Sequence, residues 1–249
     1  DDQVIQEKKW RISLTPADPA NYHPPVQTVG ILDVSLELDD ILPWCDELPN
    51  LYDLYLSIED RNGRDLVSIH QSVGFRQIAW HDGEIAVNGR RIQLRAVSWR
   101  EKDEPAWSGS NLAPVIRLFT LFKKNRLNTI YFRDVPPDPI LLDLCSILGF
   151  YVIEDAPLDP LDPEWLTQWP GQVPDAPLEI AWDRLERLMS RDRNQACVLA
   201  WSAGLLAQAS QDGQPPWLGR LVDRVYRHDP TRPIHGCDLP DIAEEQDRW

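Results

Sequence analysis

The sequence lacks most of what would mark a secreted, membrane-bound or metal-stapled protein. Its four cysteines, Cys45, Cys145, Cys197 and Cys237, are far apart, and no two have C-x-x-C spacing. That argues against a zinc site and offers no disulfide framework. Cys145 and Cys197 fall within apolar helix and strand patterns, so they are expected to be buried free thiols in a reducing compartment. No apolar run is long enough to span a bilayer, and the opening DDQVIQEKKW has neither the basic end nor the apolar core of a signal peptide. A cytoplasmic location without a membrane partner is the expectation. Cations are also scarce: 25 Lys and Arg stand against 40 Asp and Glu, a formal charge of −15. Nucleic acids and anionic membranes attract basic patches, so neither is an expected partner.

What is present suits a buried core. Of 249 residues, 43% are apolar, enough for one large or two smaller domains. Eleven tryptophans are many for this length. Most are expected to pack in the core, with some available as platforms for a flat apolar ligand.

Residues 1–75 read as β-structure. Trp10 to Leu14 and Val29 to Leu38 alternate apolar and polar positions, the pattern of half-buried strands. Leu54, Leu56 and Ile58 give another strand, Arg61-Asn62-Gly63-Arg64 turns the chain, and Leu66 to Val73 returns. A second hairpin is expected around Asn88-Gly89. Beyond it the chain alternates strand and helix. The strands are Gln93 to Trp99, Thr129 to Phe132, Phe150 to Ile153 and Cys197 to Trp201, with a fifth opening at Pro233 to His235. The helices carry apolar faces: Leu112, Val115, Ile116, Phe119 and Phe122; Ile140 to Leu148, ended by Gly149; Leu178 to Arg191; and Trp217 to Tyr226. Such alternation predicts a parallel sheet covered by helices, with functional residues just past the C-terminal ends of the strands.

One stretch is more specific. Arg191 to Leu206 reads RDRNQACVLAWSAGLL. It resembles the helix-to-strand segment of glycoside hydrolase family 2, the β-galactosidase and β-glucuronidase family, whose members typically read RDRNHPSV-x-x-WS-x-GNE. Pro49-Asn50-Leu51-Tyr52 and Val73-Gly74-Phe75-Arg76 resemble runs of the immunoglobulin-like domain that precedes the barrel in that family. The resemblance implies a partial immunoglobulin-like β-sandwich over residues 1–75, followed by a TIM-barrel-like (β/α) domain over 76–249. A closed barrel has eight strand-helix units, and four to five are legible here.

It also implies where the chemistry would sit. In the family, the Asn and Glu after the glycine hold the sugar 2-hydroxyl and act as general acid/base; here those positions are Leu205 and Leu206, which can do neither. The family run NRHEHHP stands as Ser98 to Pro105, where Glu101 alone keeps its type. The second strand's Arg and the following His become Tyr131 and Asp134. DEAN becomes Glu154-Asp155-Ala156-Pro157. The catalytic pattern is therefore degenerate. Glu101, Glu154 and Asp155 are the residual carboxylates, and Trp99, Asp134 and Trp201 are the candidate sugar contacts. A single retained carboxylate makes a poor magnesium site, so the family's divalent metal is expected to be lost and no cofactor is expected.

Three readings follow. The favoured one is a family-like scaffold without glycosidase chemistry of its own, serving carbohydrate binding or assembly. The second is an active O-glycosidase with relocated carboxylates, or with its nucleophile supplied by a further segment. The third is a structural subunit. Expected partners are a carbohydrate, and either a second copy or the remaining barrel segment to cover the open sheet.

Overall fold

The structure, a computed structural model, describes residues 6–8, 35–81, 83–100, 111–133, 135–156, 176–202 and 218–235. The chain divides into two compact units, Asp1–Ile41 and Leu42–Trp249. Among its described residues the first unit contains neither helix nor strand. The strand expected at Val29 to Leu38 is thus corrected in part: Ser35 to Leu38 join no ladder, while Val29 to Val34, like Trp10 to Leu14, lie outside the described residues. Alternation alone does not make a strand, because each backbone edge needs a hydrogen-bonding neighbour.

The second unit opens with an antiparallel hairpin, β1 (Tyr52–Glu59) and β2 (Asp65–Val73). Its turn is closed by Asp60, whose Oδ1 accepts from the backbone N–H groups of Asn62 (2.7 Å) and Arg64 (3.0 Å). A three-stranded sheet follows, made of β3 (Ile78–His81), β4 (Glu84–Val87) and β5 (Arg90–Ile92). Asn88 and Gly89 both have positive φ, 51° and 76°, as a two-residue hairpin turn of this hand requires.

The rest is a five-stranded parallel sheet ordered β10-β9-β8-β7-β6, namely Ile234–His235, Val198–Ser202, Tyr151–Asp155, Thr129–Phe132 and Ala96–Trp99. Every described neighbour pair is parallel, as the strand-helix alternation dictates. Among the described residues four helices connect these strands: α1 (Ala113–Lys124), α2 (Pro139–Leu148), α3 (Ala176–Asp192) and α4 (Leu218–His228). α2 begins at Asp138, whose side chain accepts from Ile140 N at 3.0 Å, and ends at Gly149 in the left-handed conformation. In α1 the buried stripe is Val115, Phe119 and Phe122, spaced i, i+4, i+7. Ile116, expected on that face, is 40% exposed, because one residue of helix turns the side chain about 100° away.

Pairing register decides which strand residues share a face. Trp99, Phe132, Glu154, Trp201 and Ile234 form one row across all five strands. This row faces the helices: Trp99 packs edge-on against Phe119 of α1 at 5.4 Å. Successive strand residues point to opposite faces, so Ser98, Tyr131, Ile153, Asp155, Ala200, Ser202 and His235 lie on the other, inner face. That face is buried as well, with Tyr131, Ile153, Ala200, Ser202 and His235 all 3% exposed or less.

Candidate functional site

The inner face ends, at the C-terminal edge of the sheet, in four polar side chains. Tyr131 comes from β7, Asp155 from β8, Ser202 from β9 and His235 from β10. Tyr131 Oη donates to Asp155 Oδ1 at 2.7 Å and lies 3.3 Å from Ser202 Oγ. Ser202 Oγ in turn lies 3.5 Å from His235 Nδ1, and the His235 ring meets the Tyr131 ring edge-on at 4.9 Å. Burial, reinforced by the negative charge of Asp155, pushes the Tyr131 phenol up, so it remains a proton donor throughout the ordinary pH range.

This arrangement can hold a proton but offers little to a glycosidic bond. Glycoside hydrolysis uses a carboxyl on each side of the bond. The described inner face supplies only Asp155, and Tyr131 already occupies one of its oxygens. A divalent ion fares no better. Among the described residues no group of three or more His, Cys, Asp or Glu side chains is gathered, and one engaged carboxylate beside one imidazole does not fit the oxygen-rich shell of magnesium.

The other sequence candidates fall elsewhere. Glu154 belongs to the helix-facing row and is fully buried, so it is not a carboxylate at the mouth. Trp99 and Trp201 share that row at 4% and 0% exposure, and neither presents a ring to a ligand. The physical reason is parity: each sits one residue away from an inner-face position on its strand. Glu101, Asp134, Leu205 and Leu206 lie outside the described residues.

Behind the sheet is a charge network that the sequence only hinted at. Arg191 holds Asp192 through Nε (2.8 Å) and Nη2 (2.6 Å) at the end of α3. Less visible was Asp229. Its Oδ2 accepts from Trp201 Nε1 (2.8 Å) and Arg232 Nη1 (2.7 Å), and its Oδ1 accepts from Thr231 N at 3.0 Å. Burial opposes ionisation of this carboxyl, but the Thr231 hydrogen bonds, the Arg232 charge and the Trp201 indole outweigh it and hold the group below its ordinary range. The run Asp229-Pro230-Thr231-Arg232 just past α4 was the sequence signal for it. Arg232 Nε also donates to the Val198 carbonyl at 2.9 Å, and Arg76 donates to the same oxygen, tying the stretch before β3 to the start of β9.

The comparisons agree with this architecture. The profile described as "Glycosyl hydrolases family 2, TIM barrel domain" matches residues 78–246. A β-galactosidase of Pectobacterium atrosepticum is 29% identical over 213 residues, covering 81% of this chain and 19% of the relative. One from Yersinia pestis is 27% identical over 259 residues, covering 94% of this chain and 23% of its own length. The chain thus spans about a fifth of the length of these relatives. Among solved structures, a β-D-glucuronidase of Dictyoglomus thermophilum superposes with a TM-score of 0.63 at 22% identity, over 79% of this chain and 34% of that one. A β-galacturonidase of Eisenbergiella tayi bound to galacturonate gives 0.61 at 20%, over 80% and 34%. These likenesses fit the five parallel strands to a partial α/β barrel. Matched by the barrel profile over well more than half its length, the chain belongs to glycosyl hydrolase family 2.

Proposed function

We propose that this chain is a β-galactosidase-like family 2 scaffold without glycosidase chemistry of its own, and that its role is carbohydrate binding or assembly. The observation that carries the reading is the Tyr131–Asp155 hydrogen bond: at the C-terminal edge of the sheet, the inward carboxylate is closed off by a phenol. The sequence supports it, since Leu205 and Leu206 stand where the family has its Asn and its acid/base Glu. The β1–β2 hairpin, followed by Val73-Gly74-Phe75-Arg76, is read as part of an immunoglobulin-like sandwich. The partner that completes the sheet is either a second copy or the remaining barrel segment.

Hydrolysis of aryl β-galactosides and β-glucuronides by the purified chain tests the first half of this reading. No release above the uncatalysed rate is expected, and enzyme-proportional turnover would overturn it. Calorimetric titration with the corresponding sugars tests the second half. Heat that a related sugar competes away supports binding. Its absence together with a monomeric mass leaves neither binding nor self-assembly, and favours the structural-subunit reading.

A further inference from the structure

The Glu154 carboxyl lies on the helix-facing side of β8, where the Asp192 carboxyl at the end of α3 is a charged neighbour. Glu154 is fully buried and Asp192 is 1% exposed. Neither carboxyl oxygen of Glu154 meets a hydrogen-bond donor among the described residues. The neighbouring cations are committed elsewhere. Arg191 grips Asp192 and donates its remaining reach to the Pro137 carbonyl at 3.0 Å. Arg232 is spread over Asp229, Thr231 and the carbonyls of Arg193 and Val198. The other titratable groups acting with Glu154 are the buried thiols of Cys145 on α2 and Cys197 before β9. Burial pushes Cys197 up to about 12, so it stays neutral and brings no positive charge.

An ionised Glu154 would therefore be a buried charge with no donor and a second carboxylate as its neighbour. Burial without pairing is among the costliest states a carboxylate can occupy.

We propose that Glu154 keeps its proton in the folded chain, and that losing it as pH rises draws the carboxylate out of the helix-facing layer of β8, making it an alkaline-triggered conformational switch. Burial first, and Asp192 second, raise the Glu154 carboxyl well above its ordinary 4.5, with Arg191 and Arg232 offsetting only part of this. Asp192 is also raised by burial, against the pull of Arg191. The switch reaches the inner face because Glu154 and Asp155 are consecutive on β8 and point to opposite sides. Drawing Glu154 toward water displaces Asp155 from Tyr131.

The sign follows from linkage. A carboxyl whose folded pKa is raised stabilises the fold at low pH and loses that contribution as pH rises through the raised value. At neutral pH the folded chain holds a proton that the unfolded chain has given up, so unfolding should release about one proton at Glu154. The experiment is urea unfolding of the intact chain in weakly buffered solution at pH 7, with the released protons counted for wild type, Glu154→Gln and Glu154→Leu. Wild type is expected to release about one proton more than either variant, and its stability should fall with rising pH where theirs does not. Infrared spectroscopy of wild type alone covers the case in which neither variant folds: a protonated carboxyl band should be present in the folded chain at neutral pH and vanish on unfolding. Equal proton release in all three chains, or a folded wild type without that band, would overturn the proposal.

Discussion

Tyr131 Oη donates to Asp155 Oδ1 at 2.7 Å, and each residue is only 3% exposed. The bond joins neighbouring strands at the end of the sheet, where the sequence of the family would place an arginine beside its carboxylates. A guanidinium there would remain charged, whereas the phenol satisfies Asp155 and stays neutral.

Replacing Tyr131 with Phe keeps the ring against His235 but removes one hydrogen bond from Asp155. The expected loss is about 1.5–3 kcal/mol, the contribution of a hydrogen bond to a charged group. Urea denaturation measures it. Spectrophotometric titration gives a second readout. Tyr131 and Tyr151 are both pushed up by burial and by neighbouring carboxylates, so they should resist ionisation while exposed tyrosines titrate. Tyr131→Phe should shrink that late-titrating fraction. Because the folded value is raised, this contribution to stability is lost as pH climbs toward alkaline unfolding.

Trp44 is fully buried, donates its indole N–H to the Ser146 carbonyl at 2.9 Å and meets the Tyr151 ring edge-on at 5.7 Å. It fastens the segment before β1 to α2 and β8. Trp44→Ala is expected to cost about 3–5 kcal/mol through the cavity it leaves. Trp44→Phe retains most of the packing and forfeits the hydrogen bond, so its loss should be clearly smaller. Equal losses in the two variants would show that the ring contributes nothing beyond its N–H.

Two glycines separate backbone strain from crowding. Gly89 and Gly149 have nearly the same φ, 76° and 75°. A Cβ on Gly89 would meet nothing within 4 Å, whereas on Gly149 it would overlap the Asp46 carbonyl. Gly89→Ala should therefore cost about 1 kcal/mol or a little more from conformation alone. Gly149→Ala carries the same strain plus the clash, and it also pries apart the Lys123 ammonium's two carbonyl partners, Asp46 and Gly149. Thermal melts should rank Gly149→Ala well below Gly89→Ala.

Much of the barrel portion was legible because its signals are local. Ile130 to Phe132 and Cys197 to Trp201 are unbroken apolar runs, and Gly149 stops a helix for backbone reasons. The facing of strand residues was not legible. A parallel strand buried on both sides has no alternation to read, so nothing local separates Ser98 from Trp99 or Asp155 from Glu154. Only the register across five strands assigns one member of each pair to the inner face. The family resemblance named these strands without separating their sides: Asp155 lies on the inner face, while Trp99, Trp201 and Glu154 pack on the helix side. The reading of Ser35 to Leu38 as strand failed for a related reason, since pairing is a property of two segments and the alternation belongs to one.

Asp229 and Arg232 form the most enclosed ion pair among the described residues, with side-chain exposures of 7% and 6%. Trp201 joins it from the sheet, so the pair couples the turn after α4 to the centre of β9. Asp229→Asn removes the charge but not the volume. It leaves Arg232 buried without its anion, and the expected cost is about 3–5 kcal/mol. The pH dependence should carry the opposite sign to that of Glu154. The folded Asp229 carboxyl lies below its ordinary 3.8, so its contribution is complete above that value and disappears as pH falls through the depressed folded one. Melting temperature measured from neutrality down to strong acid should show wild type losing this increment at the acid end while Asp229→Asn, already without it, declines less. Trp201 fluorescence should change in the same acid window if the indole N–H loses its acceptor, and parallel melting curves for the two chains would remove Asp229 from the account of what holds β9 in place.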